Sequence, residues 1–214
     1  MAIQKSEYFS FYSHLAGVVL ALTGLVVLLI KTGGSVPLTI VSAVYGLSAV
    51  FMFLCSTLYH GTKRREDAIN AWRKLDHIAI FFMIAGTYTP ICYIYLDGWL
   101  RWTIIGVQWL LVLLGVFLKV FYLHAPRWLT VTIYILMGWM ALIPLYKLIV
   151  TMSPASLFLL FAGGVAYSIG ALIYAVKKPN PWPGRFDFHD IFHLWILCGA
   201  ALHYGVVYIA VTGG

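Results

Sequence analysis

Residues 32–62 have the sequence TGGSVPLTIVSAVYGLSAVFMFLCSTLYHGT and contain no charged side chain. A helix crosses a bilayer with roughly 20 apolar residues, so this segment is long enough for one span. The rest of the chain is divided by its charges into six further charge-free segments, which lie at 8–30, 77–96, 102–118, 128–146, 148–176 and 191–214. Each is near or above the required length, so the pattern predicts an all-α membrane protein built as a seven-transmembrane helix bundle.

The composition agrees with a chain that is buried in lipid. Of its 214 residues, 62% are apolar, with 14 Lys and Arg and only 7 Asp and Glu. This balance lies outside the range of soluble globular domains. We expect a single domain over residues 1–214, with helices at about 10–30, 37–60, 75–96, 101–122, 128–148, 155–176 and 188–210. Little of the chain is left for a separate soluble domain.

The positive charges predict the orientation of the bundle. Eleven Lys and Arg residues fall on the side of the N-terminus: Lys5, Lys63, Arg64, Arg65, Arg73, Lys74, Lys119, Arg127, Lys177, Lys178 and Arg185. The other side has only Lys31, Arg101 and Lys147. Positive residues accumulate in cytoplasmic loops, so we predict a cytoplasmic N-terminus, a C-terminus outside, and a multi-pass protein of the plasma membrane. The net charge of +7 therefore indicates topology and not a nucleic-acid partner.

Several ionisable residues interrupt the apolar segments near one level of the membrane. With the predicted orientation, the second segment ends in the cytoplasmic leaflet, and the third and seventh segments begin there. This arrangement brings together His60, Asp76, His189 and His193. Ionisable groups within a membrane helix are costly, so each is a candidate functional residue.

The histidine spacing predicts a metal site. His189 and His193 lie four residues apart, so they occupy one face of a helix and can bind the same ion. His60 would complete a three-histidine set with one open position, as in catalytic zinc sites, where a bound water has a pKa of about 7. The alternative is that these histidines only form hydrogen bonds between helices.

Two further residues could assist chemistry at this centre. Asp76 could accept a hydrogen bond from the water and act as a general base, or it could orient one of the imidazoles. Ser56, one turn from His60, could donate a hydrogen bond to Asp76 or polarise a substrate carbonyl. The alternative for Ser56 is a hydroxyl bonded to its own helix backbone.

The other four histidines have different expected roles. His203 lies about 15 Å along the helix from His193 and cannot bind the same ion, so it lines a cavity or bonds to a neighbouring helix. His14 is interfacial or contacts one of the metal ligands. His77 and His124 are not expected to bind the metal.

Four motifs resemble the haemolysin III family of bacterial membrane proteins. They are the string Ser56-Thr57-Leu58-Tyr59-His60, the pair Leu75-Asp76, the string Ala85-Gly86-Thr87-Tyr88-Thr89-Pro90, and the string His189-Asp190-Ile191-Phe192-His193. That family belongs to the progestin and adipoQ receptor superfamily, which is related to the alkaline ceramidases. The resemblance implies a seven-helix bundle in which His60, His189 and His193 hold zinc, with Asp76 and Ser56 beside it.

Three functions follow from these observations as hypotheses. The first is a zinc-dependent hydrolase of lipid amide or ester bonds that serves membrane lipid homeostasis, with a membrane lipid as its substrate. The second is a non-catalytic sensor or receptor of membrane state, in which zinc only ties helices together. The third is a pore-forming haemolysin, which the family's name suggests, although no segment carries polar residues through its full depth.

Overall fold

A computed structural model describes residues 3–63, 71–121 and 126–213. These residues form helices joined by short connections, and no β-strand is present among them. In chain order the helices are α1 (Tyr8–Lys31), α2 (Val36–Thr62), α3 (Ala71–Tyr95), α4 (Gly98–Phe121), α5 (Arg127–Gly138), α6 (Leu145–Thr151), α7 (Pro154–Val176) and α8 (Phe188–Thr212). A 3₁₀ turn, Lys5–Glu7, precedes α1, and a second one, Trp139–Leu142, follows α5.

Six of these helices are long and apolar enough to cross a membrane by themselves, and the bent pair of α5 and α6 raises the number of candidate spans to seven if it crosses as one unit. Each of the seven predicted segments coincides with one of these helices or with the bent pair, with ends shifted by a few residues. Pro144 predicts a kink in the helical segment 128–148, and the structure has a 53° bend between Leu142 and Leu145 that divides this segment into two helices. Pro144 lies at this point, and proline has no N–H to continue a helix while its ring crowds the preceding turn.

The helices pack so that α3 lies at the centre of the bundle. It contacts α2, α4, α5 and α8, and 72% of the residues in its apolar 18-residue stretch are buried. On the other side of α2, helix α1 packs against both α2 and α8, and α8 packs along α7. Helix α1 therefore bridges the two helices that carry the predicted metal ligands.

Glycines allow α1 to approach both of these neighbours closely. A Cβ atom on Gly17 would lie 2.5 Å from the Phe53 ring of α2, and one on Gly24 would lie 2.7 Å from the Tyr204 ring of α8. Separations this short are not possible for a larger residue. Small residues at these two positions therefore set the contact distance of α1, as expected for helices packed in lipid.

An ion pair joins two spans at the end of the bundle that is distant from His60. Lys147 Nζ of α6 lies 2.6 Å from Asp97 Oδ2, in the connection between α3 and α4. The hydrogen bond from Lys147 lowers the pKa of Asp97 below its usual value. Both side chains are exposed, so the pair adds little to stability.

Candidate metal centre

The end of α2 and the start of α8 place three histidines in one cluster. Helix α8 begins with a capping box, in which the Asp187 carboxylate accepts a hydrogen bond from the His189 backbone N–H at 2.8 Å and the Asp190 carboxylate accepts one from the Asp187 N–H at 3.1 Å. These bonds satisfy N–H groups that the first helical turn leaves without partners. The box therefore fixes the turn that carries His189.

The imidazole rings of His60, His189 and His193 converge through their Nε2 atoms. His189 Nε2 lies 3.3 Å from His60 Nε2 and 3.2 Å from His193 Nε2. The His60 and His193 residues are each 1% exposed, and His189 is half-buried. Three ring nitrogens are thus held within 4.8 Å of one another in a mostly buried setting.

These separations suit a single metal ion. Imidazole nitrogens lie about 2.0–2.1 Å from zinc, and tetrahedral ligands at that distance lie roughly 3.3 Å from one another. The Nε2–Nε2 separations of 3.3 Å and 3.2 Å agree with this value. Neutral imidazole nitrogen is a good ligand for zinc and also for copper, nickel and iron, so the donor set fits a metal without identifying it. Three ligands leave one tetrahedral position open to water or substrate.

A carboxylate holds the far side of the His60 ring. His60 Nδ1 donates a hydrogen bond to Glu7 Oε2 at 2.6 Å, and Lys63 Nζ donates to Glu7 Oε1 at 2.7 Å. Glu7 is only 7% exposed. Glu7 was not predicted from the sequence, because the first helix was expected to begin only at about residue 10. A signal was available, since Glu7 and His14 are seven residues apart and such residues share a helix face.

Helix α1 makes two more contacts beside the three histidines. Ser10 Oγ donates to Asp190 Oδ1 at 2.8 Å, which links α1 to the cap of α8. The ring of His14 lies 3.8 Å from the ring of His193, centroid to centroid, at an angle of 33°. His14 is therefore not interfacial but buried against one of the predicted ligands, which was the other expectation for this residue.

The predicted catalytic residues lie on two neighbouring helices. Ser56 is buried in α2, one turn from His60. Asp76 is half-buried in the first turns of α3, where its Oδ2 lies 4.0 Å from His77 Nδ1. The roles of Asp76 and Ser56 are predictions from the sequence.

The remaining histidines lie outside the cluster. His77 Nδ1 bonds to the Arg73 carbonyl at 2.7 Å. His203 Nε2 lies 3.1 Å from the Leu160 carbonyl of α7, which confirms the expected bond to a neighbouring helix. His203 also lines a small cavity between α3, α5, α6, α7 and α8, and none of the three clustered histidines lines that cavity. His124 lies outside the described residues.

Comparisons with known proteins give a consistent family. Residues 3–204 match the family model described as Haemolysin-III related. The chain is 32% identical over 200 residues to Hemolysin-3 of Bacillus cereus, which covers 92% of this chain and 88% of that protein. It is 34% identical over 202 residues to Hemolysin-3 homolog of Bacillus subtilis (strain 168), which covers 92% of this chain and 90% of that protein. It is also 31% identical over 185 residues to Heptahelical transmembrane protein 4 of Arabidopsis thaliana, which covers 75% of this chain and 46% of that protein.

Proposed function

The chain belongs to the haemolysin III family within the progestin and adipoQ receptor superfamily, and on that premise we propose that it is a metal-dependent hydrolase of the membrane. The proposed metal is zinc, held by His60, His189 and His193. The proposed substrate is an amide or ester bond of a membrane lipid, cleaved in the service of lipid homeostasis. The protein is proposed to lie in the plasma membrane, with its histidine cluster towards the cytoplasm.

The convergence of three Nε2 atoms at separations of 3.2 and 3.3 Å is the observation that carries this proposal. Buried imidazoles in a membrane protein are costly unless they share partners, and one ion would supply a partner to all three. A set of three ligands is typical of catalytic sites, because a structural zinc site is usually closed by four. This pattern favours chemistry over a purely structural metal.

A bound zinc ion would supply a Lewis acid that polarises a carbonyl and lowers the pKa of a water to about 7. The chain itself would provide the proton transfer and the orientation of the substrate. The Asp76 carboxylate would take up a proton of the attacking water as general base and return it to the leaving amine or alkoxide as general acid. The Ser56 hydroxyl donates a hydrogen bond to the substrate carbonyl oxygen, where negative charge develops. Support for the role of Ser56 comes from its position one turn from His60 on α2. Support for the role of Asp76 comes from its position near the start of α3, which packs against α2.

Hydrolysis of lipid amides and esters by the purified, zinc-loaded protein tests this function. Asp76→Asn removes the base but leaves the three histidines, so we expect it to lower turnover by about 10²- to 10⁴-fold while zinc content stays unchanged. Asp97→Asn, at the far end of the bundle, is the matched control and should keep full activity. If zinc-loaded wild-type protein hydrolyses neither ceramides nor fatty-acid esters, the proposal is wrong.

A membrane sensor with a structural zinc is the second candidate. The weak direct contact between the two helices that carry the proposed ligands favours it. The proposed ligands lie on α2 and α8, two helices that contact each other far less than each contacts α1. A shared ion would then be a principal link between them and would stabilise the bundle by its binding energy. Zinc at 100 times its dissociation constant would raise the free energy of unfolding by about 2.7 kcal/mol. Such stabilisation together with no turnover of any lipid would identify the sensor.

A further inference from the structure

We infer that Glu7 is a positioning residue of the metal centre, which fixes the tautomer and the orientation of the His60 ring. This inference rests on the metal site proposed above but not on hydrolysis. Glu7 lies in the 3₁₀ turn before α1, far from His60 in sequence and next to it in space.

The geometry separates Glu7 from the ligands themselves. Its Oε2 atom lies 2.6 Å from His60 Nδ1, whereas the cluster is formed by His60 Nε2 on the other side of the ring. Glu7 therefore bonds to the edge of the ring that points away from the proposed ion. Its other oxygen, Oε1, accepts from Lys63 Nζ at 2.7 Å, which balances the charge of a carboxylate that is almost fully buried.

The chemistry of imidazole gives this contact a consequence for metal binding. A neutral ring carries one N–H, and a carboxylate at Nδ1 requires that N–H to be there. The lone pair is then on Nε2, where the metal needs it. The negative charge of Glu7 also makes Nε2 a stronger donor. His193 lacks this aid, since its buried Nδ1 has no hydrogen-bond partner in the described part of the chain.

The turn that carries Glu7 is held in place independently of His60. One helical turn further along, Ser10 donates to Asp190 in the cap of α8. The start of α1 is therefore joined to α2 through Glu7 and to α8 through Ser10, which are the two helices that carry the ligands. This double attachment suits a residue whose task is to hold a ring in a fixed direction.

Lys63 allows a matched test, because it bonds to Glu7 without touching His60. We compare Glu7→Gln, which removes the charge but retains the size, with Lys63→Met, which removes the second partner of Glu7 together with the contact of Lys63 Nζ with the Tyr59 ring. Zinc affinity is measured by competition with a chromophoric chelator, and the ligand field by visible absorption of the Co(II)-loaded protein. We expect Glu7→Gln to weaken zinc binding by about 10- to 100-fold and to shift the cobalt bands. Lys63→Met should bind zinc nearly as wild type does and leave the bands in place.

Three results would overturn the inference. If Glu7→Gln and Glu7→Ala both bind zinc with wild-type affinity, Glu7 does not position His60. If Lys63→Met causes the same loss as Glu7→Gln, the contact is only a structural ion pair. If wild-type protein binds neither zinc nor cobalt, both the proposed metal site and this inference are wrong. A protein that binds zinc without hydrolysing lipids contradicts only the proposed hydrolase function. Should Glu7→Gln not fold, Glu7→Asp retains the charge at a changed distance and is expected to give an intermediate affinity.

Discussion

At the scale of single residues, several buried polar groups at the histidine end of the bundle bond to one another, whereas His193 Nδ1 and both ring nitrogens of His14 have no hydrogen-bond partner in the described part of the chain. Glu7 pairs with both His60 and Lys63, and Ser10 pairs with Asp190. Unpaired polar groups in a low-dielectric interior are costly, so such a network is stable only when its members find partners. The Nε2 atoms of the three histidines converge on one point, where a single cation would serve as their common partner.

Loss of any ligand should therefore remove the metal. We predict that wild-type protein holds about one zinc ion per chain and that His60→Ala, His189→Ala and His193→Ala each reduce this close to zero, because two imidazoles form an incomplete set. Elemental analysis after dialysis measures the content. His203→Ala is the control, since His203 is a half-buried histidine of α8 whose Nε2 lies 3.1 Å from the Leu160 carbonyl and which lies outside the cluster. A zinc content that falls equally in His203→Ala, or in none of the variants, would contradict the proposed site.

At the scale of elements, the break between α5 and α6 is stabilised by side chains from neighbouring helices. The Tyr88 hydroxyl of α3 donates to the Gly138 carbonyl at 2.7 Å and accepts from the Ala141 N–H at 2.7 Å. Gln108 of α4 donates to the Met137 carbonyl at 2.9 Å. These bonds replace those that the helix loses where it bends, which is how broken helices are tolerated at membrane depth.

Tyr88 should therefore contribute measurably to the stability of the fold. Tyr88→Phe leaves the Gly138 carbonyl and the Ala141 N–H without this partner, so we predict a loss of about 1–3 kcal/mol in the free energy of unfolding. Denaturant titration in detergent measures it. Tyr146→Phe is the matched control, because Tyr146 is 81% exposed, and it should change stability by less than about 0.5 kcal/mol. Equal stability of the two variants would show that water or lipid serves the break equally well.

At the scale of the whole molecule, all three predicted ligands lie at one end of a bundle whose orientation the charges predict. Lys63, Lys177, Lys178 and Arg185 lie at that end, whereas Lys31, Arg101 and Lys147 lie at the other. If positive residues face the cytoplasm, the proposed metal centre opens to the inner leaflet. A lipid substrate would then approach from that leaflet.

Labelling of single cysteines in intact cells tests this orientation. In a Cys198→Ala background, which removes the exposed cysteine, we introduce Lys178→Cys at the histidine end or Ala155→Cys at the other end. A membrane-impermeant thiol reagent should label Ala155→Cys and leave Lys178→Cys unlabelled until the cells are lysed. The reverse pattern would place the histidine cluster outside.

The sequence by itself determined the membrane class, the helical segments that can span a membrane, and the histidines of the candidate site. These features depend on local properties. The length of a charge-free segment decides whether it can cross the lipid bilayer as a helix. A spacing of four residues places His189 and His193 on one face of a helix wherever that helix lies in the bundle. The break near Pro144 also has a local signal, although its 53° bend does not.

Only the tertiary structure decided which of these groups meet, and in what arrangement. Glu7 and His60 lie 53 positions apart in the chain, and Ser10 and Asp190 lie 180 apart, so no local period relates the members of either pair. Their contacts depend on the packing of α1 between α2 and α8, which Gly17 and Gly24 set through close approach. The depth of a residue in the membrane follows from its place in its own helix, but its partners follow from helix packing, and that is a property of the folded bundle.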